Sequence, residues 1–154
     1  MKINQIGRFI GIIHRQSQIN LNQQIKLPNI KATNAVLLLF IRDYEKVTAR
    51  QISKNLAINK GLVSRELAGL EDFGYINRLV NRDDHRLSWI TLTDKGRDAC
   101  AVIDRIMEDW WKQLLIDNNS ENKTVVYQEL EKIARQITGE ELLVHPNRKE
   151  KNPE

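Results

Sequence analysis

Two short amphipathic segments, "VTARQISKNLAI" and "KGLVSRELAGLEDF", follow each other with a single residue, Asn59, between them, and this limits the fold more than any other feature. Apolar residues recur at helical spacing in both. Ile52 and Leu56 face inward in the first, and Leu62, Val63, Leu67 and Leu70 in the second. Thr48 stands three residues before Gln51, a capping-box spacing, and Asn59 is placed to cap the second segment. Gly74 ends it as a left-handed C′ glycine. Two short helices joined by so tight a turn read as a helix-turn-helix.

Next come two runs with strand character, "YINRLV" at 75–80 and "SWITLT" at 88–93, joined by the charged tip "NRDDHR". Helix, helix-turn-helix and hairpin, in that order, make a winged helix. The helix before it spans about 31–45, with Val36, Leu37, Phe40 and Ile41 on its buried side. At the N-terminus, Ile3, Ile6, Ile10 and Ile13 form an apolar stripe widened by Phe9 and Ile12, and Pro28 closes that segment. Thr93 caps a long helix lined on one side by Ala99, Ile103, Ile106, Met107, Trp110, Leu114 and Leu115. Ser120 opens a last helix carrying Val126, Leu130, Ile133 and Ile137.

The outer helices carry more apolar surface than the roughly fifty residues between them can cover. They need each other or a second chain. The predicted architecture is mainly α with a small β-hairpin wing: a winged helix-turn-helix at 31–93 flanked by helices at 1–27 and 94–138, which form a dimerisation layer if a second chain covers them. Ile3, Ile6, Ile10, Ile13, Trp110, Leu114, Leu130, Ile133 and Ile137 are the expected dimer contacts. Residues 139–154 read as a polar tail.

Composition narrows the classes. A chain of 154 residues, 29% charged and 41% apolar, has the make-up of one soluble, helix-rich domain. The single Cys100 excludes an internal disulfide and a multi-cysteine zinc site, and fits a cytoplasmic location. No signal peptide is expected, and the longest apolar run, "AVLLLFI", is far too short to span a bilayer. From Lys46 to Arg97 ten Lys and Arg face six Asp and Glu, whereas the remainder is neutral. The basic excess sits on the helix-turn-helix and hairpin, where a polyanion-binding element carries it.

The stretch from Thr48 to Gly96 resembles the MarR family of bacterial winged-helix transcription regulators. The family's wing reads Asp-x-Arg, five residues, then Leu-Thr-x-x-Gly. Here that is Asp84-His85-Arg86, "LSWIT", and Leu92-Thr93-Asp94-Lys95-Gly96. "VSRELAGLEDFGYI" is similar to the family's recognition helix and its glycine stop, and the resemblance extends over residues 3–138 as one MarR-like domain. Where the family commonly has Arg in the middle of the wing triplet, this chain has His85. The resemblance implies a homodimeric regulator, a repressor, on a pseudo-palindromic operator in double-stranded DNA. It also implies a small-molecule effector held between dimer layer and reading heads.

A recognition helix reads base edges with its outer face in the major groove. With Leu62, Val63 and Leu67 inward, the reading helix at about 60–73 turns Lys60, Gly61, Ser64, Arg65 and Ala68 outward. Arg65 can fork onto guanine, Ser64 can meet a base or phosphate, and Asn59 and Lys60 suit phosphate contact. Gly61 and Ala68 permit close approach. In the wing, at 75–93, Arg86 is the candidate for a narrow minor groove, Asp84 for holding its guanidinium, Arg82 for a phosphate, and His85 for a further contact. A metal site is the competing reading of Asp83, Asp84 and His85, but adjacent residues on a tight tip converge poorly on one ion.

The remaining candidates are weaker. Cys100 reads as a packing residue rather than a redox sensor, and the Trp110-Trp111 pair as packing rather than an effector-cavity wall. His14 and His145 read as surface residues. No nucleophile–base arrangement, phosphate-cradling loop or metal spacing points to an enzyme, and no cofactor is expected. A winged helix used only for protein–protein contact is the alternative, and Arg65 and Lys60 on the outer face argue against it.

Overall fold

A computed structural model describes residues 2–84, 87–115 and 120–139, without the side chains of 120–122. Candidate wing residues His85 and Arg86, the polar tail beyond Gly139 and the segment 116–119 lie outside the described residues. After a 3-10 turn at Ile3–Gln5, the elements run α1 (Ile6–Gln24), α2 (Ala32–Tyr44), α3 (Ala49–Asn55), α4 (Lys60–Asp72), β1 (Ile76–Val80), β2 (Ser88–Leu92), α5 (Asp94–Leu114) and α6 (Ser120–Thr138). The strands pair antiparallel from Ile76↔Leu92 to Val80↔Ser88. This is the winged helix-turn-helix anticipated from the sequence, with long helices at either end.

The caps read from the sequence operate as expected. Thr48 Oγ1 accepts from the Gln51 N–H at 3.2 Å, and the Gln51 side chain accepts from the Thr48 N–H at 2.8 Å. Asn59 Oδ1 accepts from the Gly61 N–H at 2.8 Å to start α4, and Gly74 (φ 75°) ends it. The turn between α3 and α4 passes through Ala57 in left-handed geometry (φ 52°). The Ser53 hydroxyl secures that turn by donating to the Ile58 carbonyl at 2.7 Å.

The core lies where α2, α4, the hairpin and α5 meet. Leu37, Leu38 and Ile41 of α2, Leu67 and Leu70 of α4, Ile90 of β2 and Ile103 of α5 are fully buried, with Ile52 of α3 among them. Val47 and Ile90 exchange backbone hydrogen bonds at 3.1 and 2.7 Å, which ties the entrance of α3 to the wing. Two expectations fail locally. Val36 is exposed, because it faces a gap in front of α2 rather than the core, and Leu62 is only half-buried. Leu79 and Val80 are also exposed, because the hairpin runs past the core and projects into solvent.

One junction fixes how α4, the wing and α5 meet. The Thr93 N–H donates to the Tyr75 carbonyl at 3.1 Å, the Thr93 hydroxyl donates to the Gly74 carbonyl at 2.6 Å, and Thr93 Oγ1 accepts from the Gly96 N–H at 3.0 Å. A Cβ at Gly96 would stand 2.1 Å from the Tyr75 carbonyl oxygen. Glycine is required there by the close approach of two backbones, not by its dihedral freedom. The Leu-Thr-x-x-Gly signature thus joins the end of the reading helix to the first turn of α5.

Gly96→Ala must push two backbones apart. Overpacking of this kind costs about 1–3 kcal/mol, occasionally more. Urea unfolding is expected to show a lowered midpoint with an unchanged slope, whereas Asp98→Ala, two residues on and exposed, should lose far less.

Candidate nucleic-acid interface

Helix α4 presents the residues that the sequence assigned to it. Asn59, Lys60, Gly61, Ser64, Arg65 and Ala68 are exposed, while Val63, Leu67 and Leu70 are buried on the opposite side. The Arg65 side chain is 76% exposed, and its guanidinium Nη2 lies 3.8 Å from Glu66 Oε1. That distance is an ion-pair contact without a hydrogen bond, so the planar fork keeps its donors available. The outer face is a basic and small-residue surface of the kind that enters a major groove.

Contacts from three directions hold α4 in place. At its far end, Arg78 of β1 donates to Glu71 Oε2 at 3.0 Å. The Tyr75 hydroxyl donates to the Pro28 carbonyl at 2.7 Å, and the Lys95 ammonium sits 4.5 Å above the Tyr75 ring. Midway, the amide of Asn34 donates to the Asn29 carbonyl at 2.8 Å and to Glu66 Oε2 at 3.2 Å, and its oxygen accepts from the Lys31 N–H at 2.9 Å. Sequence reading missed Asn34, its tie to Glu66, and Arg78. Their partners are far apart in the chain, and polar pairs leave no periodic signature.

The wing tip begins with an Asx turn in which Asn81 Oδ1 accepts from the Asp83 N–H at 2.9 Å, and the Leu87 N–H then donates to the Asp84 carbonyl at 2.9 Å. Arg82 and Asp84 are exposed at this tip. The pairing expected between Asp84 and Arg86 falls outside the described residues. Along the hairpin, where Trp89 pairs with Leu79, the Lys46 ammonium lies 4.7 Å over the Trp89 ring.

Two openings flank α2. One, of about 470 Å³, is lined by α1, α2, the α3–α4 turn, Leu62 of α4 and Met107 of α5, with His14, Ser17, Gln18 and Thr33 adding polar groups to a mostly apolar wall. His14, read from the sequence as a plain surface residue, borders this opening. The other, of about 380 Å³, separates Val36, Leu39, Phe40 and Tyr44 of α2 from Tyr127, Leu130 and Ala134 of α6. Leu130, assigned to the dimer face, thus looks toward α2 of its own chain. Trp111 borders a shallower groove with Leu39 and Met107, and Trp110 meets it edge-on at 4.9 Å. Of the other proposed dimer residues, Ile3, Ile6, Ile10, Ile13, Leu114, Ile133 and Ile137 are exposed, and Trp110 is half-buried.

Among the described residues no cluster of His, Cys, Asp and Glu could hold a metal ion, and no helix is long and apolar enough to cross a membrane. Cys100 is buried beneath α2, and burial pushes its thiol up to about 11, against a smaller opposing pull from Arg42. A thiol so shielded is a poor nucleophile at neutral pH.

A model described as a winged helix DNA-binding domain matches residues 34–109. An uncharacterized HTH-type transcriptional regulator of Bacillus cereus is 26% identical over 151 residues, covering 92% of this chain and 98% of its own. The HTH-type transcriptional regulator TcaR of Staphylococcus aureus is 37% identical over 99 residues, 60% of this chain and 63% of its own. A MarR transcriptional regulator from Methanosarcina mazei superposes with a TM-score of 0.79 at 24% identity, covering 87% of this chain and 96% of that one. A mutant MarR from E. coli complexed with operator DNA superposes with a TM-score of 0.71 at 24% identity, over 85% and 94% of the two chains. The fold and domain define a winged-helix DNA-binding protein. The chain thus carries a winged helix domain over residues 34–109, and its overall fold is that of the MarR transcriptional regulators on which it superposes.

Alkylation tests the reading of Cys100. Iodoacetamide at pH 8 should leave the folded protein essentially unmodified and label it rapidly once urea unfolds it, as followed by intact mass. Fast labelling of the folded chain would mean an accessible, reactive thiol.

Proposed function

We propose that the protein is a sequence-specific DNA-binding repressor that acts as a homodimer on a pseudo-palindromic operator. The observation that carries this reading is the outer face of α4, where Lys60, Ser64 and Arg65 stand exposed on a helix held rigidly from three sides. Arg65 takes the base-reading role, Ser64 a base or phosphate, Lys60 and Asn59 phosphates, and Gly61 the closest approach. Arg82, Asp84, His85 and Arg86 make up the wing contact, with Arg86 directed to a minor groove. None of these roles involves bond-making chemistry, and the protein works as a cytoplasmic binding protein rather than an enzyme.

Dimerisation is supported by the apolar stripes left on α1, α5 and α6. Fully burying an isoleucine or leucine contributes about 1.5–3 kcal/mol. Half a dozen such residues are on the scale of the roughly 4–15 kcal/mol lost when two chains give up independent motion. Residues 1–27 and 94–138 then form the shared layer, with 31–93 as the reading head.

The opening between α1, α2 and the α3–α4 turn, about 470 Å³, is of a size that takes a small ligand. Its walls come from both the dimer layer and the reading head. A ligand that prefers one separation of the two heads therefore shifts DNA affinity through that preference. The mostly apolar lining, with His14, Ser17 and Gln18 at one side, suits a compact apolar molecule with one or two hydrogen-bonding groups.

The reading of α4 is tested by two substitutions. Arg65→Ala should cost roughly 1–3 kcal/mol at the preferred site and much less on random DNA, by fluorescence anisotropy. Lys60→Ala should weaken both to a similar extent and flatten the salt dependence by about one unit. Equal losses on both DNAs for Arg65→Ala would make it another phosphate contact.

A further inference from the structure

Glu66 is a carboxylate in the reading helix, immediately beside Arg65, where negative charge opposes the approach of a phosphate backbone. Its side chain is 18% exposed while that of Arg65 is 76% exposed. The two carboxylate oxygens have separate partners: Oε2 accepts from Asn34 Nδ2 at 3.2 Å, and Oε1 lies 3.8 Å from Arg65 Nη2. Asn34 is itself 1% exposed and fixed by the Asn29 carbonyl and the Lys31 N–H, so it is an immobile anchor. Adjacent residues on a helix do not normally face each other. Arg65 must therefore lie across the helix to meet Glu66.

We propose that Glu66 is a positioning residue that aims the Arg65 guanidinium at the DNA, using Asn34 as its fixed point. Asn34 holds one oxygen, and the other sets the direction of the guanidinium without occupying its hydrogen-bond donors. An arginine forks onto guanine only in one plane. Restricting the side chain before DNA arrives reduces the freedom lost on binding. The cost is a weaker general attraction to DNA, so Glu66 exchanges affinity for selectivity.

The inference rests on Arg65 reading bases, and the test separates the two. Affinities are measured for a duplex enriched from a random pool and for a random-sequence duplex of equal length. Glu66→Ala should lower the ratio of these affinities about tenfold, within the range of couplings between touching residues, while binding to random DNA stays equal or tightens. Glu66→Gln, which keeps an acceptor for Asn34 but lacks the charge, should lower the ratio by about threefold on the same scale. In an Arg65→Ala background, Glu66→Ala should leave the ratio nearly unchanged. Equal tightening on both duplexes, a Glu66→Gln ratio equal to wild type, or the same loss with and without Arg65 would each overturn the aiming role. A wild-type protein that prefers no duplex would remove base reading itself, and the aiming of Arg65 with it.

Discussion

The approach of Gly96 to the Tyr75 carbonyl is the contact on which the remaining geometry depends. No side chain fits between them, so the first turn of α5 is pressed against Tyr75, just beyond the glycine that ends the reading helix. Thr93 then closes the junction with three hydrogen bonds, to Gly74, Tyr75 and Gly96. The direction of α4, the base of the wing and the start of α5 are set together. A movement of α5 would carry the reading head with it, because the two are joined by this backbone contact and these hydrogen bonds. That is the mechanical condition for a regulator whose DNA affinity depends on the spacing of two heads.

A second tie runs through the segment between α1 and α2. The Asn22 side chain accepts from the Ala32 N–H at 2.8 Å, the Pro28 carbonyl accepts from Tyr75, and Asn34 reaches Glu66. Behind these, Arg42 of α2 pairs with Asp43 and with Asp104 of α5. Thr33 and Ala35, on either side of Asn34, border the larger opening. The wall of the proposed effector site and the anchor for Glu66 are thus the same turn of α2.

Much of the fold was legible because it rests on local rules. Thr48 with Gln51, Asn59, Gly74 and Thr93 each announce a helix boundary through the hydrogen bond or dihedral their side chain provides, and each occupies that boundary. Helical spacing likewise separated the inner Val63, Leu67 and Leu70 from the outer Lys60, Ser64 and Arg65. What periodicity cannot carry was lost. Val36 fits an apolar pattern yet lies exposed, since a pattern does not say where the core ends. Asn34 and Glu66, thirty-two positions apart, meet only in three dimensions. His14 borders an opening whose walls come from four helices. The wing's Arg86 was identified from its motif, and its geometry lies beyond the described residues.

The most direct measurement is selection of duplexes from a random DNA pool by the purified full chain. The expected result is an enriched motif of two inverted half-sites centred about one helical turn, or a whole multiple of it, apart, as two-fold symmetric reading heads require. Enrichment of a single unpaired half-site would contradict the dimer, and a pool that never departs from random sequence would contradict sequence-specific reading by α4.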